Sequence, residues 1–153
     1  MRRSHYSPLR RRLMMSAVRV SKLRFSQPSA SSQFKCGRSL DVLIKRLVTD
    51  PDYMQGVPPL RVLWVGPSTV SLDNRRLVCF ILACKYLGID AAVPVQFLKK
   101  SRLRGRCSRS KIKHFRASRH HGAFIRMRKP LGSLCPLRPR DVHIVRRLRV
   151  RTL

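Results

Sequence analysis

PPLRVLWVGPSTVSLDNRRLVCFILACKYLGIDAAVPVQFL, residues 58–98, is the stretch that decides the fold. Pro58-Pro59, with Gly56 just before them, mark a loop. LRVLWV (60–65) is rich in β-branched and aromatic residues and reads as a strand; Gly66-Pro67-Ser68 is a turn and Thr69-Val70-Ser71 a short returning strand. Asp73 is placed to cap a helix that Leu77, Val78, Phe80, Ile81, Leu82 and Ala83 make apolar almost all round. Such a helix is normally buried. Gly88 falls where a left-handed residue closes a helix. AAVPVQFL (91–98) then supplies another strand, its Pro94 pointing to a sheet edge or a strand start.

Outward on the N-terminal side, Leu40, Leu43, Ile44, Leu47 and Val48 fall on one face of a helix. Ser39 is its N-cap and Asp50-Pro51 its end. The order helix, strand, turn, short strand, buried helix, strand predicts a small α+β domain over residues 39–98. At about 60 residues such a unit is marginal alone.

Charge divides the chain of 153 residues, which holds 35 Lys and Arg against six acids for a net +29. Residues 1–38 carry +10, residues 39–98 only +1, and residues 99–153 carry +18. The centre is therefore flanked by two basic extensions of Pro, Ser and Arg, poor material for a core. All six acids are aspartates, which leaves nothing for a catalytic Glu or a clustered-carboxylate calcium cage. A surplus this large calls for a polyanion, and nucleic acid is the default partner.

The stretch 58–98 resembles the ParB/sulfiredoxin-like (ParB-like nuclease) domain. In that family a strand leads through a hairpin into an Asp/Gly-x-x-Arg box that opens a helix, and a Val-Pro-Val strand follows. Here the box is Ser71-Leu72-Asp73-Asn74-Arg75-Arg76. The resemblance implies that the box meets the phosphates of a nucleotide, with Arg75 and Arg76 in the first helical turn. A helix start is an anion site on physical grounds too. The alternative is that Arg76 or Arg75 pairs with Asp73 and ties the hairpin to the helix.

Departures from the family argue against catalysis. Sulfiredoxins need a Cys in this box, where Asn74 stands. ParB-type CTP binders carry Gly where this chain has Asp73, and a later Glu-Asn-x-x-Arg motif. Kinase relatives use a Glu base. With no Glu in the chain and Asn74 its only Asn, none of these motifs exists here. ParB's helix-turn-helix also has no counterpart, since residues 99–153 lack long apolar periodicity. The expectation is a retained fold without its enzyme chemistry and without a cofactor.

Cysteine and histidine point the same way. Cys79 and Cys84 lie on the apolar helix as small core residues, while Cys36, Cys107 and Cys135 form no Cys-x-x-Cys pair. Cys107 with His114, His120 and His121 matches no standard zinc spacing, so no metal site is predicted. With His5 and His143, these histidines all lie in the basic extensions and suit phosphate contact or surface. A reactive thiol at Cys79 or Cys84 would mark a descendant redox or phosphotransfer enzyme.

The N-terminal extension is Arg- and Ser-rich and acid-free, the composition of a mitochondrial transit segment, or of a basic RNA-binding tail that is never cut. The longest apolar run, Leu77 to Cys84, is eight residues, against about 20 for a membrane span. In the C-terminal extension Lys and Arg recur every second or third residue, interleaved with Ser, Gly, His, Phe115 and Phe124. That is the pattern of a ribosomal-protein extension, with Arg suited to phosphate forks and base stacking. Its candidate RNA contacts are Lys99, Lys100, Arg102, Arg104, Arg106, Arg109, Lys111, Lys113, Arg116, Arg119, Arg126 and Arg128, joining Arg75 and Arg76. Short strands are expected around Ala123–Met127 and Val142–Val150.

The sequence thus predicts a non-catalytic RNA-binding component of a ribonucleoprotein, the mitochondrial ribosome of the matrix, with rRNA and neighbouring ribosomal proteins as partners. No membrane and no small-molecule substrate are expected. The alternative is a ParB-like nucleotide-dependent DNA-binding protein. On this reading, removing residues 99–153 abolishes RNA association and leaves the centre folded.

Overall fold

The computed structural model describes residues 14–103, 105–137 and 142–149. In chain order the elements are β1 (Met14–Arg19), β2 (Leu23–Phe25), β3 (Ser29–Ala30), α1 (Leu40–Thr49), β4 (Leu60–Val65), β5 (Ser68–Ser71), α2 (Asn74–Leu87), β6 (Ala92–Phe97), α3 (Arg106–Ala117), β7 (Phe124–Met127) and β8 (Ile144–Arg146). This is an α+β fold. From α1 to β6 each element stands where the sequence pattern predicts it. Gly66 (φ 59°) and Gly88 (φ 68°) take the left-handed conformations that the turn and the helix end require.

Five strands form one mixed sheet in the order β1-β6-β4-β5-β2, and three form a second in the order β3-β7-β8. The β4–β5 hairpin is antiparallel, with Val62 opposite Ser71, and β6 runs parallel to β4 with Leu60 opposite Val95. On one face of the large sheet Leu60, Val62, Val93 and Val95 join the core with α1 and α2; on the other, Leu63, Val65, Val70 and Leu72 pack against Ile112 and Phe115 of α3. Helix α2 touches α1, β2 and β8. The small sheet adds Ile125, Met127 and Val145 to the same core.

Three expectations are corrected. First, the extensions are core material. Val20, Leu23 and Phe25 are buried at 0–1% exposure, and Ile112, Phe115, Ile125, Val142 and Val145 at 7% or less. Their apolar residues are sparse, but most of the described ones are at least partly buried, so a low average hydrophobicity still closes a core. Removing residues 99–153 would therefore strip α3, β7 and β8 from that core rather than leave the centre intact.

Second, β6 is an interior strand, because β1 pairs along its whole length from Met14–Phe97 to Arg19–Ala92. Pro94 is tolerated there. The Leu98 amide donates to the Val62 carbonyl (2.9 Å), so by strand alternation residue 94 faces the level of Pro58, before β4 begins. Third, α3 is a helix that the pattern did not announce, since among the described residues its buried apolar side chains are Ile112 and Phe115. Strands β7 and β8 fall within the two segments expected for them.

Gly122 holds the turn after α3 against β2. The Phe25 amide donates to its carbonyl at 3.0 Å, and a Cβ on Gly122 would collide with the Phe25 backbone. Its φ of 67° adds a second reason for glycine. Leu23→Ala is expected to cost about 3 kcal/mol as a cavity in a closed core, with Phe25→Ala at least as severe. Urea unfolding followed by the fluorescence of Trp64, the single tryptophan, checks both. Near-neutral effects would mean that β2 does not belong to the core.

Candidate nucleic-acid interface

The box at the start of α2 is organised around Asp73. Its carboxylate accepts from the Arg61 amide (2.8 Å) and from the Arg61 guanidinium at Nη2 (2.6 Å) and Nε (3.1 Å). Arg76 Nη2 lies 2.9 Å from the same carboxylate, and Arg76 also donates to the carbonyls of Pro58 and Pro59. Burial alone would raise the Asp73 pKa. The hydrogen bonds from Arg61 and the charges of Arg76 and Arg61 outweigh it and hold the carboxyl below its ordinary 3.8. Of the two alternatives the sequence left open, Arg76 is thus engaged in tying strand β4 to the helix. The Ser71 hydroxyl completes the turn by accepting the Asp73 amide at 3.0 Å.

Asn74 is 4% exposed and clamps the N-terminal extension. Its Oδ1 accepts the Ser26 amide at 3.0 Å, and its Nδ2 donates to Ser26 Oγ (3.0 Å) and Gln27 Oε1 (3.3 Å). Sequence reasoning singled out Ser71, Asp73 and Asn74 but not this clamp, whose partner lies 48 residues away.

Arg75 and Arg76 both line a groove of about 590 Å3 together with Lys35, Arg61, Lys111 and Arg128, but Arg75 does so without an acid partner. Lys111, on α3, also donates to the Leu72 carbonyl. The side chains of Arg75, Arg128 and Lys35 make no hydrogen bond or ion pair among the described residues, and α2 has no side-chain cap over its first amides. The acid lining the groove, Asp73, is already neutralised. Cations without an acid partner from three segments, Lys35, Arg75 and Arg128, therefore face one concavity beside an open helix start, an arrangement that attracts anions.

A second basic groove, of about 540 Å3, runs along α3, where Arg109, Lys113 and Arg116 share one helical face with Lys100 beside them. Lys99, Arg119 and Arg126 are exposed outside both grooves. Arg104 lies outside the described residues, as do the side chains of Arg102, Arg106 and Cys107, and His5. Sequence reading missed Lys35 and Arg61, and also Arg24, Arg146, Arg147 and Arg149. The last three had a signal in the run RRLRVR (146–151).

The thiols offer little chemistry. Cys79 is fully buried, and burial pushes its pKa far above the ordinary value; burial also raises Cys84 and Cys135. Protonated, enclosed thiols are poor nucleophiles. Among the described residues no three His, Cys or Asp side chains are grouped to hold a metal ion, and no helix is long and apolar enough to cross a membrane. No protein-family model and no curated protein matches the chain.

Asp73→Asn is expected to lower stability by about 1 kcal/mol at neutral pH, because the half-exposed Arg61 and the partly exposed Arg76 lose their charged acceptor. The folded pKa is depressed, so this contribution is complete above about 3.8 and is lost as pH falls through the folded value. The gap between wild type and variant in urea unfolding should therefore shrink below pH 3.8. An undiminished gap there would contradict the ion-pair account. Asn74→Ala should cost about 2 kcal/mol through the unsatisfied Ser26 amide, as a thermal melt would show.

Proposed function

We propose that the chain is a non-catalytic RNA-binding component of a ribonucleoprotein, the mitochondrial ribosome. Its core is a ParB/sulfiredoxin-like domain that has lost the family's enzyme chemistry and taken its two basic extensions into its own fold. The observation that carries this reading is the groove at the α2 start, where Arg75, Arg128 and Lys35 are unpaired and the adjoining carboxylate is neutralised. Cations held without counter-ions on a chain of net +29 suit a polyanion. The α3 face of Arg109, Lys113 and Arg116 extends the same cationic surface along a phosphate backbone. The Arg- and Ser-rich, acid-free start supports mitochondrial import. Strand β1 begins at Met14, so a leader cut without damage to the large sheet ends before that residue.

Sedimentation of the tagged protein from mitochondrial extract tests this. It should run with a ribosomal subunit and move to the top of the gradient after RNase. Migration as a small species in untreated extract overturns the reading. In binding to single-stranded RNA, Arg75→Gln/Arg128→Gln should lower the slope of log affinity against log salt by about 1.4, at about 0.7 per lost phosphate contact.

The volume of the groove and the uncapped α2 start favour one second reading, a nucleotide site of the ParB type. Isothermal titration with CTP and ATP discriminates it. The informative control is Arg75→Ala alone, because Arg76 holds Asp73 and the Pro58 carbonyl. No heat with either nucleotide removes this reading.

A further inference from the structure

We infer that a separate pocket, formed where β2 meets the β7–β8 hairpin, seats one nucleotide of single-stranded RNA, its phosphate among four arginines and its base beside Phe124 and His120. The inference rests on the RNA-binding reading and concerns a part of the surface away from the α2 groove. Arg24 of β2 and Arg146, Arg147 and Arg149 of the β8 segment line a cavity of about 170 Å3 with Ala123 and Phe124, and no acid lines it. None of these arginines is in an ion pair among the described residues.

Four guanidinium groups are costly to hold together without an anion. Burial, and then the charges of Arg24 and Arg149, lowers the pKa of Arg147. Yet the cluster is held in place by the fold. Arg24 Nη1 donates to the His121 carbonyl at 2.9 Å, and the Arg147 amide to the Ala123 carbonyl at 2.7 Å. His121 itself sits at φ 44°, left-handed for a non-glycine residue, in the turn that Gly122 presses onto β2. Arg24, its guanidinium fixed before the anion arrives, loses little order on binding it. Guanidinium forks match phosphate oxygens, which makes phosphate the fitting anion.

Phe124 is shared with a neighbouring pocket of about 280 Å3, also lined by His114, Phe115 and His120. His120 packs on the Phe124 ring with centroids 4.6 Å apart. Gln27 and Ser118 line the same pocket and offer polar atoms to a base edge. An arginine cluster that opens onto an aromatic slot has the two halves of a nucleotide site, charge for the phosphate and a ring surface for the base. A duplex keeps its bases stacked inside and cannot fill the slot.

The test uses the full chain and an eight-nucleotide single-stranded RNA, read by fluorescence anisotropy across a range of salt. Arg146→Gln/Arg149→Gln, both exposed, should keep the melting temperature and lower the salt slope by about 1.4. Phe124→Leu should weaken binding about tenfold with the slope unchanged. With 4-thiouridine in the RNA, photocrosslinks should map to residues 120–124. Wild-type binding with the salt slope and the Phe124→Leu affinity both unmoved and crosslinks elsewhere overturns the pocket but leaves the RNA reading standing. Failure of the wild type to bind RNA overturns both. A mononucleotide bound as tightly as the oligomer, or a duplex bound as tightly as the single strand, overturns the assignment to single-stranded RNA.

Discussion

Helix α2 has eight consecutive buried residues, Leu77 to Cys84, so it can face water on no side. One sheet covers one face of a helix and α1 a second. The remainder has to be enclosed by something, and the nearly neutral centre has nothing left to offer. The two basic extensions therefore enter the fold. The N-terminal one supplies Leu23 and Phe25 from β2, and the C-terminal one supplies Ile125, Val142 and Val145. Burial of about 2 kcal/mol for each large apolar side chain holds segments that their charge alone would drive apart.

Enclosure of α2 also sets the polar design at its start. Asp73 fastens the helix to β4 through Arg61, and Arg76 closes the same junction. Asn74 fastens it to Ser26 and so brings the N-terminal segment into register beside β5, where Leu23 pairs with Thr69. With Asp73, Arg76 and Asn74 all committed to partners, Arg75 is left in the groove with no acid beside it. The same residues that resemble a nucleotide-handling box act here mainly as a joint between four segments. What remains cationic and unpaired around that joint lies on the outside, open to a polyanion.

Much of the fold was legible. Periodicity gave α1, β-branched runs gave β4 and β6, and the uniformly apolar run gave the buried helix with its Gly88 stop. The elements that escaped notice are those whose reason for existing is remote. Strand β2 is three residues long and pairs parallel with β5, β1 exists because β6 needs a partner on its far side, and α3 packs through Ile112 and Phe115 with Lys111 bonded to the Leu72 carbonyl. A short window of sequence cannot carry such signals, because the stabilising contact lies in another part of the chain. For the same reason Pro94 read as an edge position: its missing donor matters only where a neighbouring strand reaches that level.

The sequence by itself determined the α+β class, the enclosure of α2, the absence of glutamate and a cationic surplus without enough acid to balance it. These follow from composition and local spacing, and no arrangement in space can change them. Only the tertiary structure decided which charges are spent and which remain. Arg75 and Arg76 are adjacent, yet one is consumed by Asp73 and two prolyl carbonyls while the other faces a groove with Arg128 and Lys35. Arg24 and Arg147 likewise meet across one cavity although most of the chain lies between them. Whether a guanidinium is a structural tie or a free ligand depends on what stands within about 3 Å of it, a distance that only the folded chain defines.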